Sequence, residues 1–331
     1  MSLLEIKNLH TYFNTKRGLI RAVDGVDLSI EEGQTLGLVG ESGSGKSQTA
    51  MSILRLFEKN QRIYDGEILF NGVDLTKISK KEMEHIRGNE ISIIFQEPMT
   101  SLNPVFTVKR QLSEVFMLHQ NMTKQEAARE SVKLLEMVQI PQPEVVVKQY
   151  PFELSGGMNQ RVMIAMALAC KPKLLIADEP TTALDVTIQA EILKLMNDLK
   201  RETNTAIMFI THDLGVINQM AEKVAVMYSG QVVEQAPVDY IFKEGLTEYQ
   251  HPYTEGLLAS IPSITTDKNE VLESIPGSVP HPLQLTSGCR FAERCKYATD
   301  KCRDEMPELV QVNELQQVRC HYPKKGERHG K

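Results

Sequence analysis

The sequence predicts an α/β protein organised around a mainly parallel sheet, and three observations carry that expectation. Apolar runs at Thr35-Leu36-Gly37-Leu38-Val39, Leu174-Leu175-Ile176-Ala177 and Ala206-Ile207-Met208-Phe209-Ile210 read as buried strands. Helical segments lie between and after them, notably Ile188 to Arg201. The first run feeds a glycine-rich turn. Short buried strands alternating with helices are the pattern of a parallel sheet.

The elements follow in order. Leu4-Glu5-Ile6-Lys7-Asn8-Leu9 alternates as a strand does, and Val26-Asp27-Leu28-Ser29-Ile30 alternates again before the turn Glu31-Glu32-Gly33. Ile68-Leu69-Phe70 followed by Asn71-Gly72 has the form of a hairpin. From about Thr123 to Gln139 the period is helical, with Ala127, Val132, Leu135 and Val138 on one side. Near Ile261 the composition shifts toward Pro, Ser and Thr, with Pro262, Pro276, Pro280 and Pro282. The expected division is therefore residues 1–260 and a C-terminal extension, 261–331, with no internal repeat.

Composition narrows the function. With 41% hydrophobic residues among 331, the chain has material for a real core. A net charge of −6 gives no global electrostatic case for nucleic acid, and none is expected as a partner. Trp is absent and aromatics are 6%, which argues against base-stacking platforms. Glu5 and the lack of an early apolar run argue against a secretory signal. The longest strongly apolar stretch, Val162 to Cys170, is broken by Lys171-Pro172-Lys173 and falls short of the roughly 20 residues that span a membrane. Five cysteines without a signal suit a reducing compartment. Cys170 reads as a small buried apolar residue, whereas Cys289, Cys295, Cys302 and Cys320 crowd the extension.

Gly40-Glu41-Ser42-Gly43-Ser44-Gly45-Lys46-Ser47 fits G-x-x-x-x-G-K-[ST], with a buried strand before it and a helix-compatible segment after. Glycines let backbone wrap closely around an anion, and a helix N-terminus offers it N–H groups and a favourable dipole. Lys46 can reach the β- and γ-phosphates of a nucleotide, and the Ser47 hydroxyl can coordinate Mg²⁺. The strand Leu174 to Ala177 delivers Asp178 and Glu179 to its C-terminal edge, where ligands bind in open α/β sheets. Neighbouring strand residues face opposite sides, so the two acids should differ in role. Asp178 is expected in the Mg²⁺ shell, and Glu179 is expected to orient or deprotonate the attacking water. His212, just beyond the strand ending at Ile210, is expected to contact the γ-phosphate. Leu154-Ser155-Gly156-Gly157-Met158 is a second anion-seeking helix start, with Ser155 as its N-cap. Two such termini suit two nucleotides shared across a dimer better than one nucleotide in one subunit.

In this order the motifs closely resemble those of the nucleotide-binding subunit of ATP-binding cassette (ABC) transporters, over about residues 1–260. The resemblance implies the P-loop NTPase fold of that family. That fold has a RecA-like core, an antiparallel β subdomain and a helical subdomain, here about residues 97–165, which carries the signature. Met158 departs from the commonest signature, which has glutamine there, while the serine and glycines remain. ATP is then expected to contact Gly40 through Gln48. An aromatic of the first strands would stack on adenine, with Phe13 first choice and Tyr12 second. Gln96 resembles the residue linking Mg²⁺ to the helical subdomain, and Asp185 resembles one that acts across the dimer. The implied partners are a homologous second ATP-binding subunit, two transmembrane permease subunits and an extracytoplasmic substrate-binding protein. The chain itself would sit peripherally on the cytoplasmic face of the membrane.

Phe95 to Pro104, Thr181 to Thr187 and His251-Pro252-Tyr253-Thr254 look like the oligopeptide and dipeptide importer branch, as does the C-terminal extension. Peptide uptake is implied, with nickel or another small solute as the alternative cargo. The late cysteines, Cys289-x5-Cys295-x6-Cys302-x17-Cys320, contain no C-x2-C pair, which counts against the usual zinc module. Thiolates in this number suit zinc or iron–sulfur, and packed free thiols are the alternative. Extensions of this branch resemble a [4Fe-4S] site, which makes these four cysteines the expected ligands. Two other functions remain in view: a soluble ATPase of the same superfamily, and an iron–sulfur redox or regulatory protein switched by nucleotide. A single phosphate loop and the lack of a long heptad run count against the first.

Overall fold

A computed structural model describes residues 2–96, 101–182, 184–243, 245–261 and 274–328. In chain order its strands are β1 (Ser2–Thr15), β2 (Gly18–Glu31), β3 (Thr35–Val39), β4 (Gln61–Phe70), β5 (Val73–Asp74) and β6 (Ile91–Ile94). They continue with β7 (Leu174–Asp178), β8 (Ala206–Thr211), β9 (Lys223–Tyr228), β10 (Gln231–Pro237), β11 (Val310–Asn313) and β12 (Gln316–Val318). The chain forms two compact units from discontinuous pieces. One combines Glu31–Gln34 with Lys77–Ile210, and the other combines Ser2–Ile30, Thr35–Thr76 and Thr211–Lys331. Residues on both sides of position 261 fall in the second unit.

In the first unit β6, β7 and β8 run parallel, Leu174 lying opposite both Ile91 and Ala206. Every residue of β7 and β8 is buried, as runs without alternation require. The predicted helix after Thr123 spans Lys124–Met137. Thr123 and Glu126 close a capping box, each side chain accepting the other's backbone N–H. Ala127, Leu135 and Val138 are buried, but Val132 is only half-buried, and Ser131 and Leu134 turn inward beside them. Cys170 is likewise only partly buried, because it lies in the turn after the helix Gly156–Leu168 rather than within it.

In the second unit one sheet has the order β2-β1-β4-β5. Asn71 and Gly72 both take positive φ, 48° and 78°, in the two-residue turn that sets Phe70 opposite Val73. A second set of strands starts from β3, buried along its whole length and parallel to β9. From β9 the pairing is antiparallel through β10 and β12 to β11, so the C-terminal extension contributes the last two strands. No helix among the described residues is long and apolar enough to cross a membrane.

Candidate functional site

The loop after β3 enters the helix Lys46–Ile53 directly, with Gly45 as its left-handed N-cap. Gly40 and Gly45 have φ of 152° and 103°. A Cβ at Gly40 would overlap the Met227 carbonyl oxygen, and one at Gly45 would overlap that of Ala22, so only glycine fits. Lys46 is 5% exposed. Its Nζ donates to the carbonyls of Gly40 (2.7 Å) and Glu41 (3.0 Å), which holds the ammonium inside the loop. Ser47 follows on the first helical turn, and the Gln48 side-chain oxygen accepts from Gln61 Nε2 at 2.7 Å. Glu41 has two partners that no sequence motif signalled. Its amide donates to the Tyr253 hydroxyl (2.8 Å), and its carboxylate accepts two N–H bonds from Arg294, at 2.6 and 3.0 Å.

The acidic pair sits in the first unit. Asp178 ends β7 and is buried, whereas Glu179, just beyond the strand, is half-buried. Glu179 holds φ at 47°, a left-handed conformation costly for a residue with a Cβ. Its amide donates to the Ile210 carbonyl at 2.9 Å. Its carboxylate accepts from Gln96 Nε2 (3.1 Å) and from the Thr182 hydroxyl (3.0 Å). Gln96 and Glu179, 83 residues apart, are thus brought together. Gln160, on the helix that follows Ser155, donates to the Pro180 carbonyl and ties that helix to the same turn.

Ser155 caps the helix Gly156–Leu168, its hydroxyl accepting the Met158 N–H at 3.3 Å. Ser155 and Gly156 are exposed, while Gly157 and Met158 are half-buried. Asp185 caps the helix Val186–Thr203 by accepting from the amides of Thr187 and Ile188. Ala183 and the segment 97–100 lie outside the described residues. His212 is exposed just beyond β8. Tyr12 donates its hydroxyl to Asp24 and packs its ring on Tyr64 at 4.9 Å between centroids. Phe13, the adjacent strand residue, lies opposite Gln61 and is half-buried.

Cys289, Cys295, Cys302 and Cys320 line one cavity together with Phe291, Tyr297 and Pro307. Burial pushes the thiols of Cys289 and Cys320 up to about 11 and about 12. All are free of disulfides. Among the described residues, no three His, Cys, Asp or Glu side chains are grouped closely enough to hold a single metal ion. The cysteines therefore share a cavity without forming a one-ion site.

A family model described as ABC transporter matches residues 23–182, and one described as the C-terminal region of oligopeptide/dipeptide transporters matches residues 233–302. The chain belongs to the ABC transporter family. Within that family it is similar to the oligopeptide transport ATP-binding protein AppD of Bacillus subtilis, 55% identical over 320 residues that cover 96% of each chain. It is also similar to the dipeptide transport ATP-binding protein DppD of Escherichia coli, 46% identical over 323 residues covering 98% of this chain and 97% of that protein. Among solved structures, the ATP-binding cassette MJ0796, a dimer in a post-hydrolysis state with ADP and Pi, matches with a TM-score of 0.64 and 27% identity. The match covers 71% of this chain and 98% of that one.

Proposed function

We propose that this chain is the ATP-hydrolysing subunit of an ABC importer of oligopeptides or dipeptides. The observation that carries this reading is near full-length similarity, at 46–55% identity, to ATP-binding proteins named for such transport. The cassette would be residues 1–260, with its helical subdomain at about 97–165, and 261–331 the extension.

ATP phosphates enter the loop Gly40–Ser47, and Lys46 turns from the loop carbonyls to the β- and γ-phosphates. Glu41, Ser42, Gly43, Ser44 and Gly45 frame the anion, Gln48 closes the set, and Phe13 stacks on adenine while Tyr12 stays engaged with Asp24. Ser47, Gln96 and Asp178 supply hard oxygen donors of the kind Mg²⁺ takes, and when bound the ion neutralises phosphate charge. A water oxygen bonds to the γ-phosphorus in line, the bond to the bridging oxygen breaks, ADP leaves, and Glu179 accepts the water proton. His212 contacts the γ-phosphate. Ser155, Gly156, Gly157 and Met158 engage the partner's ATP, and Asp185 acts across the same dimer. The partners are a second homologous ATP-binding subunit, two permease subunits and an extracytoplasmic binding protein, with this chain on the cytoplasmic face. The test is reconstitution of the co-purified complex in liposomes. ATP-dependent uptake of labelled peptide, lost with Lys46→Ala, is expected, and uptake of nickel without peptide would sink the peptide assignment.

The four cysteines carry a narrower proposal: Cys289, Cys295, Cys302 and Cys320 hold a [4Fe-4S] cluster. Its support is that all four thiols line one cavity, beside His251 and His321, and that thiolates in this number suit an iron–sulfur cluster. When bound, the cluster supplies a covalent staple for a short segment. Anaerobic purification should yield equal amounts of iron and acid-labile sulfide and a charge-transfer absorption that Cys302→Ala removes. Zinc, or neither element, in that preparation would refute it.

A further inference from the structure

We propose that Arg294, in the C-terminal extension, is a positioning residue for nucleotide binding, acting through Glu41 of the phosphate loop. The proposal rests on the reading that Gly40–Ser47 hold the nucleotide phosphates. A carboxylate in a loop shaped for anions is a liability, since like charges a few ångströms apart repel strongly where water is scarce. Arg294 removes that liability. It grips Glu41 with two charge-assisted bonds from a guanidinium that is 5% exposed.

The guanidinium is itself fixed from several sides. Its Nε donates to the Pro276 carbonyl at 2.8 Å, and it lies 5.7 Å from the Tyr228 ring centre. Tyr228, Tyr253 and Phe291 form a mutually packed trio, with centroids 4.7, 5.2 and 5.4 Å apart. Tyr253 accepts the Glu41 amide, so the trio holds that residue's backbone while Arg294 holds its carboxylate. Four residues upstream of Arg294, Arg290 repeats the arrangement, reaching Asp24 and the Ser229 carbonyl. The extension braces the loop and neutralises its acid, 253 residues away in sequence.

The test uses the full chain for calorimetry of MgATP binding and the assembled complex for hydrolysis. Arg294→Met is expected to weaken binding roughly tenfold, raising KM while kcat stays within about twofold. Arg294→Lys should recover only part of the loss, because an ammonium lacks the two-pronged geometry. In a Glu41→Gln background, with no carboxylate left to neutralise, Arg294→Met should change affinity by less than about twofold. Wild-type affinity in a folded Arg294→Met protein would overturn the proposal. An equal loss in both backgrounds would overturn it too, by showing that Arg294 serves general packing. If Arg294→Met does not fold, Arg294→Lys in the two backgrounds decides the matter by the same comparison. ATP binding that survives Lys46→Ala undamaged would instead remove the phosphate-loop reading, and this proposal with it.

Discussion

Glu179, in a left-handed backbone conformation, is held by hydrogen bonds to Gln96 and Ile210 from distant segments and to Thr182 in its own turn. Strain of this kind persists where the surroundings over-determine it, and here it fixes a carboxylate at a strand edge. Glu179→Gln keeps the shape and the acceptor oxygen while removing the base. It is expected to bind ATP like the wild type and to lose turnover by about 10²- to 10⁴-fold, read as phosphate release from the assembled complex. Undiminished release would assign the base elsewhere. The acid pair was legible in the sequence because an apolar strand ending in two acids has few other uses. Arg294 and Tyr253 were not, since their role depends on a fold that carries them 253 and 212 residues back to Glu41.

The helix Pro252–Ala259 is specified chiefly at its start, where Pro252 follows the capping residue His251. His251 caps it, Nδ1 accepting the Tyr253 N–H at 3.0 Å, while the His251 amide donates to buried Glu234. Burial, with Arg328 and Arg319 adding repulsion, pulls the imidazole down to about 3, so the native protein keeps it neutral. The unfolded chain takes up a proton below about 6.5. Between those values the unfolded state binds more protons, so stability falls as pH falls, by about 1.4 kcal/mol per pH unit for this group. Glu234, pushed up by burial, works in the opposite sense above its ordinary range. His251→Asn retains a capping oxygen and the Glu234 contribution. Its melting temperature should therefore fall less steeply from pH 6.5 toward 4 than that of the wild type, and parallel curves would refute the assignment. Sequence offered His251-Pro252-Tyr253-Thr254 only as part of a family resemblance, and gave no sign of the helix or of the buried carboxylate that makes its cap sensitive to acid.

At the scale of the molecule the motifs divide between the two units. Lys46 and His212 belong to the second, while Gln96, the signature, Asp178 and Glu179 belong to the first. The buried strands were readable because β3, β7 and β8 lack alternation, and the hairpin because Asn71-Gly72 admits few other turns. The partition was not readable, because it depends on which distant pieces pack together. The compositional change near Ile261 marks a shift in residue type. Packing instead joins β12 to β10, and Arg290 to Asp24, across that point.

The pairing of β12 with β10 has a consequence for synthesis. A ribosome releases the chain from its amino end, so β10 emerges with one flank bare and keeps it until Val318 has also cleared the exit tunnel. For the translation of more than 80 intervening codons a nascent chain carries a half-made edge, and a message truncated within that stretch yields a protein with an adhesive border.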